Sequence, residues 1–261
     1  MFSATKFFAQ SYQSSFHSIR WAHNIASRSS PTDSDLVKTI SEGAKRRLSI
    51  PIKKNEPITP DLLSKMYDTI FCDKNVYTQR TISACLLAYS GFLRVSQLLN
   101  IQSCDILFYQ SHMSVFIQKS KTDIYRDGDR IVIARIGNKL CPVQNLENYL
   151  EWSCNPSDGD VYLFRNLTKS KDHFIFRKDS KPLSHTRMRE LFIEAFSSFA
   201  PNINLFGLHS VRAGGATAAG NFGISYILSK RHDGWKSATA KDDYVKDSFS
   251  DRILVSLNFG L

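Results

Sequence analysis

The sequence has no Asp or Glu before position 33, no pair of cysteines at C-x-x-C spacing, and no apolar run that nears the ~18 residues needed to span a bilayer. Each absence excludes something. The five cysteines, Cys72, Cys85, Cys104, Cys141 and Cys154, are odd in number and widely spaced, which argues against a disulfide framework and against a zinc site. They read as buried free thiols in a reducing compartment. Without a long apolar run, a membrane-spanning helix is not expected. No cluster of carboxylates suggests a Mg²⁺ site, so neither a metal nor a small-molecule cofactor is expected. The acid-free first 32 residues are rich in Ser and carry Lys6, Arg20 and Arg28. Such a stretch suits either an organellar transit peptide or a basic segment facing a polyanion, and we take the second reading.

What the chain does have is positive charge. Lys and Arg number 34 against 24 Asp and Glu, a net charge of +10 with pI near 9.4. That balance favours a nucleic-acid partner. A hydrophobic fraction of 42% over 261 residues is enough for a substantial core, in one large domain or one domain with a smaller companion.

Periodicity supplies the organisation. Helical patterns run from Phe16 to Ala26 and over 34–49, the latter ending in Lys45, Arg46 and Arg47. The Pro- and Lys-bearing stretch Pro51 to Pro57 reads as a linker. Thr59 and Pro60 form a helix start, an N-cap followed by proline at the first helical position. Leu62, Leu63, Met66 and Ile70 form its apolar face. Further helices are expected over 77–90, Phe92–Leu99, 142–152, 184–199, His209–Gly220, Ile224–Arg231 and near 238–246. The β-branched runs Ser114–Ile117 and Ile131–Ile133 predict a hairpin with a long basic tip, Lys119 to Asp129. The fold class is mostly α with a small antiparallel β-sheet, α+β. We expect a helical segment over 1–55 and a larger domain over 56–261, which the resemblance described below implies to be a DNA-binding segment and a catalytic domain.

One constellation carries chemistry. His209 and Arg212 lie i, i+3 on one helix face. Trp235 and Tyr244 follow, nine residues apart, and Arg94 sits upstream where a helix breaks. Phosphodiester cleavage needs a nucleophile in line with the leaving oxygen, and stabilisation of charge spread over the non-bridging oxygens. Two guanidiniums can clamp those oxygens at any working pH. A lysine can protonate the leaving 5′ oxygen, and a histidine can orient the phosphate or help deprotonate a tyrosine.

The stretches Gly91-Phe92-Leu93-Arg94-Val95-Ser96, Lys119-Ser120-Lys121-Thr122-Asp123, Leu208 to Thr217, and Gly234-Trp235 with Tyr244 together resemble the catalytic domain of the tyrosine recombinases, or phage-integrase family. The likeness is nearest to recombinases of eukaryotic mobile elements of the DIRS and crypton kinds, and it spans about residues 57–250. It implies that Arg94 and Arg212 are the two phosphate-binding arginines and that His209 belongs to the family's H-x-x-R motif. It further implies that Lys121 is the hairpin-tip general acid, that Trp235 hydrogen-bonds the phosphate, and that Tyr244 is the nucleophile of a 3′-phosphotyrosyl intermediate. The implied partners are double-stranded DNA and further copies of the chain, with the apolar segment Phe249 to Leu257 docking on a neighbour. The implied location is the nucleus rather than the mitochondrion. The implied function is a site-specific recombinase or integrase of mobile-element origin.

Two departures keep alternatives open. Many members carry an acidic residue three positions after the first arginine, where this chain has Gln97. The region before the linker matches only the last part of the family's N-terminal clamp, through Ile19–His23 and Glu42–Arg47. A DNA-binding remnant that no longer cuts, and a type IB topoisomerase using the same chemistry, are therefore carried beside the recombinase.

Overall fold

The computed structural model describes residues 2–48, 55–118, 128–154, 159–171, 173–177, 179–232, 253–254 and 256–257. The chain divides into two compact units, Met1–Lys54 and Asn55–Leu261.

The first unit is a helical pair. Helix α1 spans Phe2–Ile25, well beyond the Phe16–Ala26 expected, and α2 spans Asp35–Leu48. A 3-10 turn, Pro31–Asp33, joins them, capped by the Ser30 hydroxyl, which accepts from the Thr32 N–H at 3.3 Å. Arg20 pairs with Asp33 across the turn at 3.2 Å. Lys45, Arg46 and Arg47 lie in the last turn of α2, where cations complement the helix dipole.

In the second unit, α3 spans Pro60–Ile70, and its start is as the sequence predicts: the Thr59 hydroxyl accepts from the Leu62 N–H at 3.3 Å, with Pro60 in the first turn. Helix α4, Val76–Ser90, is capped by Asn75 and is buried on nearly every side. A helix buried all round must satisfy its polar side chains internally, and α4 does so in large part, although Gln79 Oε1 and Arg80 Nε find no partner among the described residues. Gln79 donates to the carbonyl and amide oxygens of Asn145, Ser83 donates to the same carbonyl, and Arg80 donates to the carbonyl of Arg165 at 2.8 Å. Helix α5 follows as Val95–Asn100. It starts three residues later than the expected Phe92–Leu99 helix, because Phe92 takes a left-handed backbone (φ +49°).

Strands β1 (Ile106–Phe108), β2 (His112–Ile117) and β3 (Asp129–Ala134) form an antiparallel sheet in that order. The expected hairpin is β2–β3, with Val115 opposite Ile131. Residues 119–127 of its tip lie outside the described residues. Helix α6 spans Pro142–Trp152. A second hairpin, β4 (Leu167–Ser170) with β5 (His173–Phe176), is not foreseen in the sequence. Helices α7 (His185–Phe196), α8 (Leu208–Asn221) and α9 (Tyr226–His232) complete the described order. The expected helix near 238–246 lies outside the described residues. Of the C-terminal apolar segment, Ser256 is buried and accepts from the Ala134 N–H at 2.6 Å.

Among the described residues no helix is long and apolar enough to cross a membrane, and no three His, Cys, Asp or Glu side chains gather as a metal site.

Candidate active site

The site is built around the corner between α4 and α5. Helix α4 ends at Ser90 with Gly91 as C-cap, whose N–H donates to the Leu87 carbonyl at 3.0 Å. The chain then reverses through Phe92 and Leu93, both buried, and Arg94 becomes the N-cap of α5. The Arg94 N–H, left without an intrahelical partner at this position, donates to the Gln97 side-chain oxygen at 2.9 Å. Gln97 is buried. An amide here supplies the acceptor that the corner requires, so the acid's absence does not leave the cap open.

Arg94 is half-buried, and its Nη1 is shielded from solvent and has no hydrogen-bond acceptor among the described residues. A buried cationic N–H without an acceptor is unfavourable until an anion reaches it. It is therefore a ready donor for an oxyanion.

Helix α8 brings the second arginine to the same corner. The Arg212 guanidinium donates through Nη1 to the carbonyl of Phe92. The approach of α8 depends on two glycines. A Cβ on Gly215 would stand 2.1 Å from the Tyr89 carbonyl oxygen, and one on Gly214 would stand 2.0 Å from the Ile58 carbonyl oxygen. Neighbouring Ile58 donates its N–H to the Ser210 carbonyl at 2.9 Å. Close backbone packing accounts for both glycines. His209 sits in the first turn of α8, exposed, on the face shared with Arg212.

Of the six residues singled out from sequence, the structure describes three. It brings Arg94 and Arg212 to one corner and places His209 on the exposed face of α8. Lys121, Trp235 and Tyr244 lie outside the described residues. Within the core, Tyr89 is unsuited to be a nucleophile: it is fully buried, and burial pushes its hydroxyl well above the usual tyrosine range. Sequence reasoning missed Phe92, whose carbonyl holds Arg212, and the cap made by Gln97. It also left His232 unassigned. The signal for Gln97 was its N3 spacing from Arg94; a backbone carbonyl such as that of Phe92 leaves no mark in a sequence.

No family model matches the chain. Among curated proteins it is similar to the integrase/recombinase XerD homolog of Selenomonas ruminantium, at 23% identity over 237 residues, covering 89% of this chain and 67% of the relative. Among solved structures it is similar to the XerH site-specific recombinase bound to difH substrate in a pre-cleavage complex. The TM-score is 0.50 at 16% identity, covering 72% of this chain and 50% of that one. The chain thus spans about half the length of that solved recombinase. The mostly helical α+β fold is thus similar to that of a solved site-specific recombinase, and the sequence is similar to that of an integrase/recombinase.

Proposed function

We propose that the chain is a site-specific DNA recombinase or integrase that cuts and rejoins strands through a 3′-phosphotyrosyl intermediate at Tyr244. The observation that carries this reading is the corner at residues 90–94, where a buried Arg94 donor without an acceptor and the guanidinium of Arg212 come together in a fold of this class.

In the proposed reaction the Tyr244 hydroxyl gives its proton to His209 as its oxygen forms a bond to the scissile phosphorus, and the bond to the 5′ oxygen breaks. Lys121 gives its proton to the leaving oxygen. Arg94, Arg212, His209 and Trp235 hold the non-bridging oxygens while charge builds on them. The phosphotyrosyl ester conserves the energy of the broken bond, so the reverse attack by a 5′ hydroxyl reseals DNA without ATP. Arginines supply the charge stabilisation, and no cofactor enters the scheme. Partner copies on double-stranded DNA, a nuclear location and a mobile-element origin belong to the same reading; the last rests on the sequence stretches alone.

The test is covalent trapping. Wild type and Tyr244→Phe are incubated with nicked suicide duplexes, denatured, and resolved on a gel. An adduct with wild type and none with the variant supports the reading. Absence of adduct from both, with salt-sensitive DNA binding retained, would replace it with a DNA-binding remnant. Relaxation of supercoiled plasmid without site preference would replace it with a type IB topoisomerase.

A further inference from the structure

His232, the last residue of α9, is buried, at 6% exposure. Its Nε2 lies 2.7 Å from the carbonyl oxygen of Ser90. A carbonyl can only accept, so Nε2 carries the proton and donates. Ser90 ends α4, and its carbonyl is among those that a helix terminus leaves without an intrahelical partner. The same imidazole meets the Phe92 ring edge-on, at 5.0 Å between centroids. A Cβ on Gly215 of α8 would stand 2.8 Å from that ring, while the Phe92 carbonyl takes the Arg212 guanidinium. The corner at residues 90–94 is therefore held by α9 through His232 and by α8 through Arg212 and Gly215. It is closed at its far end by Gln97 of α5.

We infer that His232 is a positioning residue for the two arginines. Its N–H fixes the end of α4 and its ring fixes Phe92, so that the carbonyl holding Arg212 and the start of α5 bearing Arg94 keep one relative placement. The inference rests on the proposed role of these arginines at a scissile phosphate. It adds a residue to the six read from the sequence.

Two substitutions separate the hydrogen bond from mere bulk. His232→Gln keeps an N–H donor at similar reach; His232→Leu fills the space without one. Each full-length variant is compared with wild type for the rate of covalent adduct formation at saturating suicide duplex, for affinity toward an uncut duplex, and for melting temperature. A displaced arginine should slow cleavage by His232→Leu about 100-fold while duplex affinity changes less than about threefold. His232→Gln should cleave within about fivefold of wild type. Equal rates for the two variants, or losses that track melting temperature alone, would overturn the inference. A second readout does not depend on cleavage: the NMR signals of the Arg94 and Arg212 side-chain N–H groups should shift in His232→Leu and hold in His232→Gln. If wild type forms no adduct, the recombinase reading fails, and these signals alone decide the positioning role. Unchanged arginine signals in His232→Leu would end it.

Discussion

Arg212 of α8 donates its guanidinium to the carbonyl oxygen of Phe92, two residues ahead of Arg94. Two cations far apart in sequence are thereby tied to one short stretch of backbone. The contact uses the forked geometry of a guanidinium, which can spend one N–H on a carbonyl and keep others for an oxyanion. A lysine ammonium, with its charge at a single point, does not offer that division.

Arg212→Lys should therefore lose both the hold on Phe92 and a phosphate donor. The expected result is a fall in adduct formation of about 100-fold or more at saturating DNA. Gel trapping over a time course measures it. A lysine variant with the wild-type rate would remove Arg212 from the proposed clamp.

The two close-packed glycines predict a sharp contrast within α8. Gly215→Ala places a methyl against a backbone oxygen that cannot move aside cheaply, and should destabilise the fold by about 3 kcal/mol. Gly220→Ala meets nothing within 4 Å in the same helix, and should stabilise by up to about 1 kcal/mol. Urea unfolding of both variants tests the pair; similar midpoints would show that α8 packs otherwise.

Gln97 should matter through its oxygen. Gln97→Ala leaves the Arg94 N–H without its acceptor and should cost about 1 kcal/mol. Gln97→Glu restores an acceptor and should return most of that stability at neutral pH. Chemical denaturation measures both, and an alanine variant as stable as wild type would show the cap to be idle.

The thiols divide by burial. Cys85 and Cys141 are buried as expected, but Cys72, Cys104 and Cys154 are exposed, against the expectation of five buried thiols. Burial pushes the Cys85 thiol up to about 12. A thiol reagent at pH 8 should modify Cys72 and Cys154 readily in the native protein and all five cysteines after denaturation. Cys104 should require a higher pH than an ordinary thiol, because partial desolvation and its hydrogen bond to Asp160 both favour the protonated form. Rapid modification of four or five thiols in native protein would contradict the packing.

The pattern of the sequence carried the long elements because their signals were strong. The Thr59 and Pro60 start of α3, the buried run of α4 and the β-branched hairpin β2–β3 each combine a period with a stop signal. The strands β4 and β5 escaped because each has four residues and Lys169, Ser170 and His173 break the apolar alternation. Strand β1, at three residues, is too short to show a period at all. At the site, Arg94 and the His209–Arg212 pair were visible as residue types at meaningful spacing. What joins them was not, because the links run through main-chain carbonyls of Ser90 and Phe92, and any residue type has a carbonyl.

Phe92 holds a backbone angle that glycine would adopt with less strain, yet the glycine of this corner stands one position earlier. Replacing Phe92 by glycine would relax the turn while removing the ring that Gly215 and His232 press against. Local comfort and long-range attachment thus pull in opposite directions at a single position. Screens for thermal tolerance that favour relaxed turns would, at residue 92, select chains whose helices α8 and α9 no longer share an anchor.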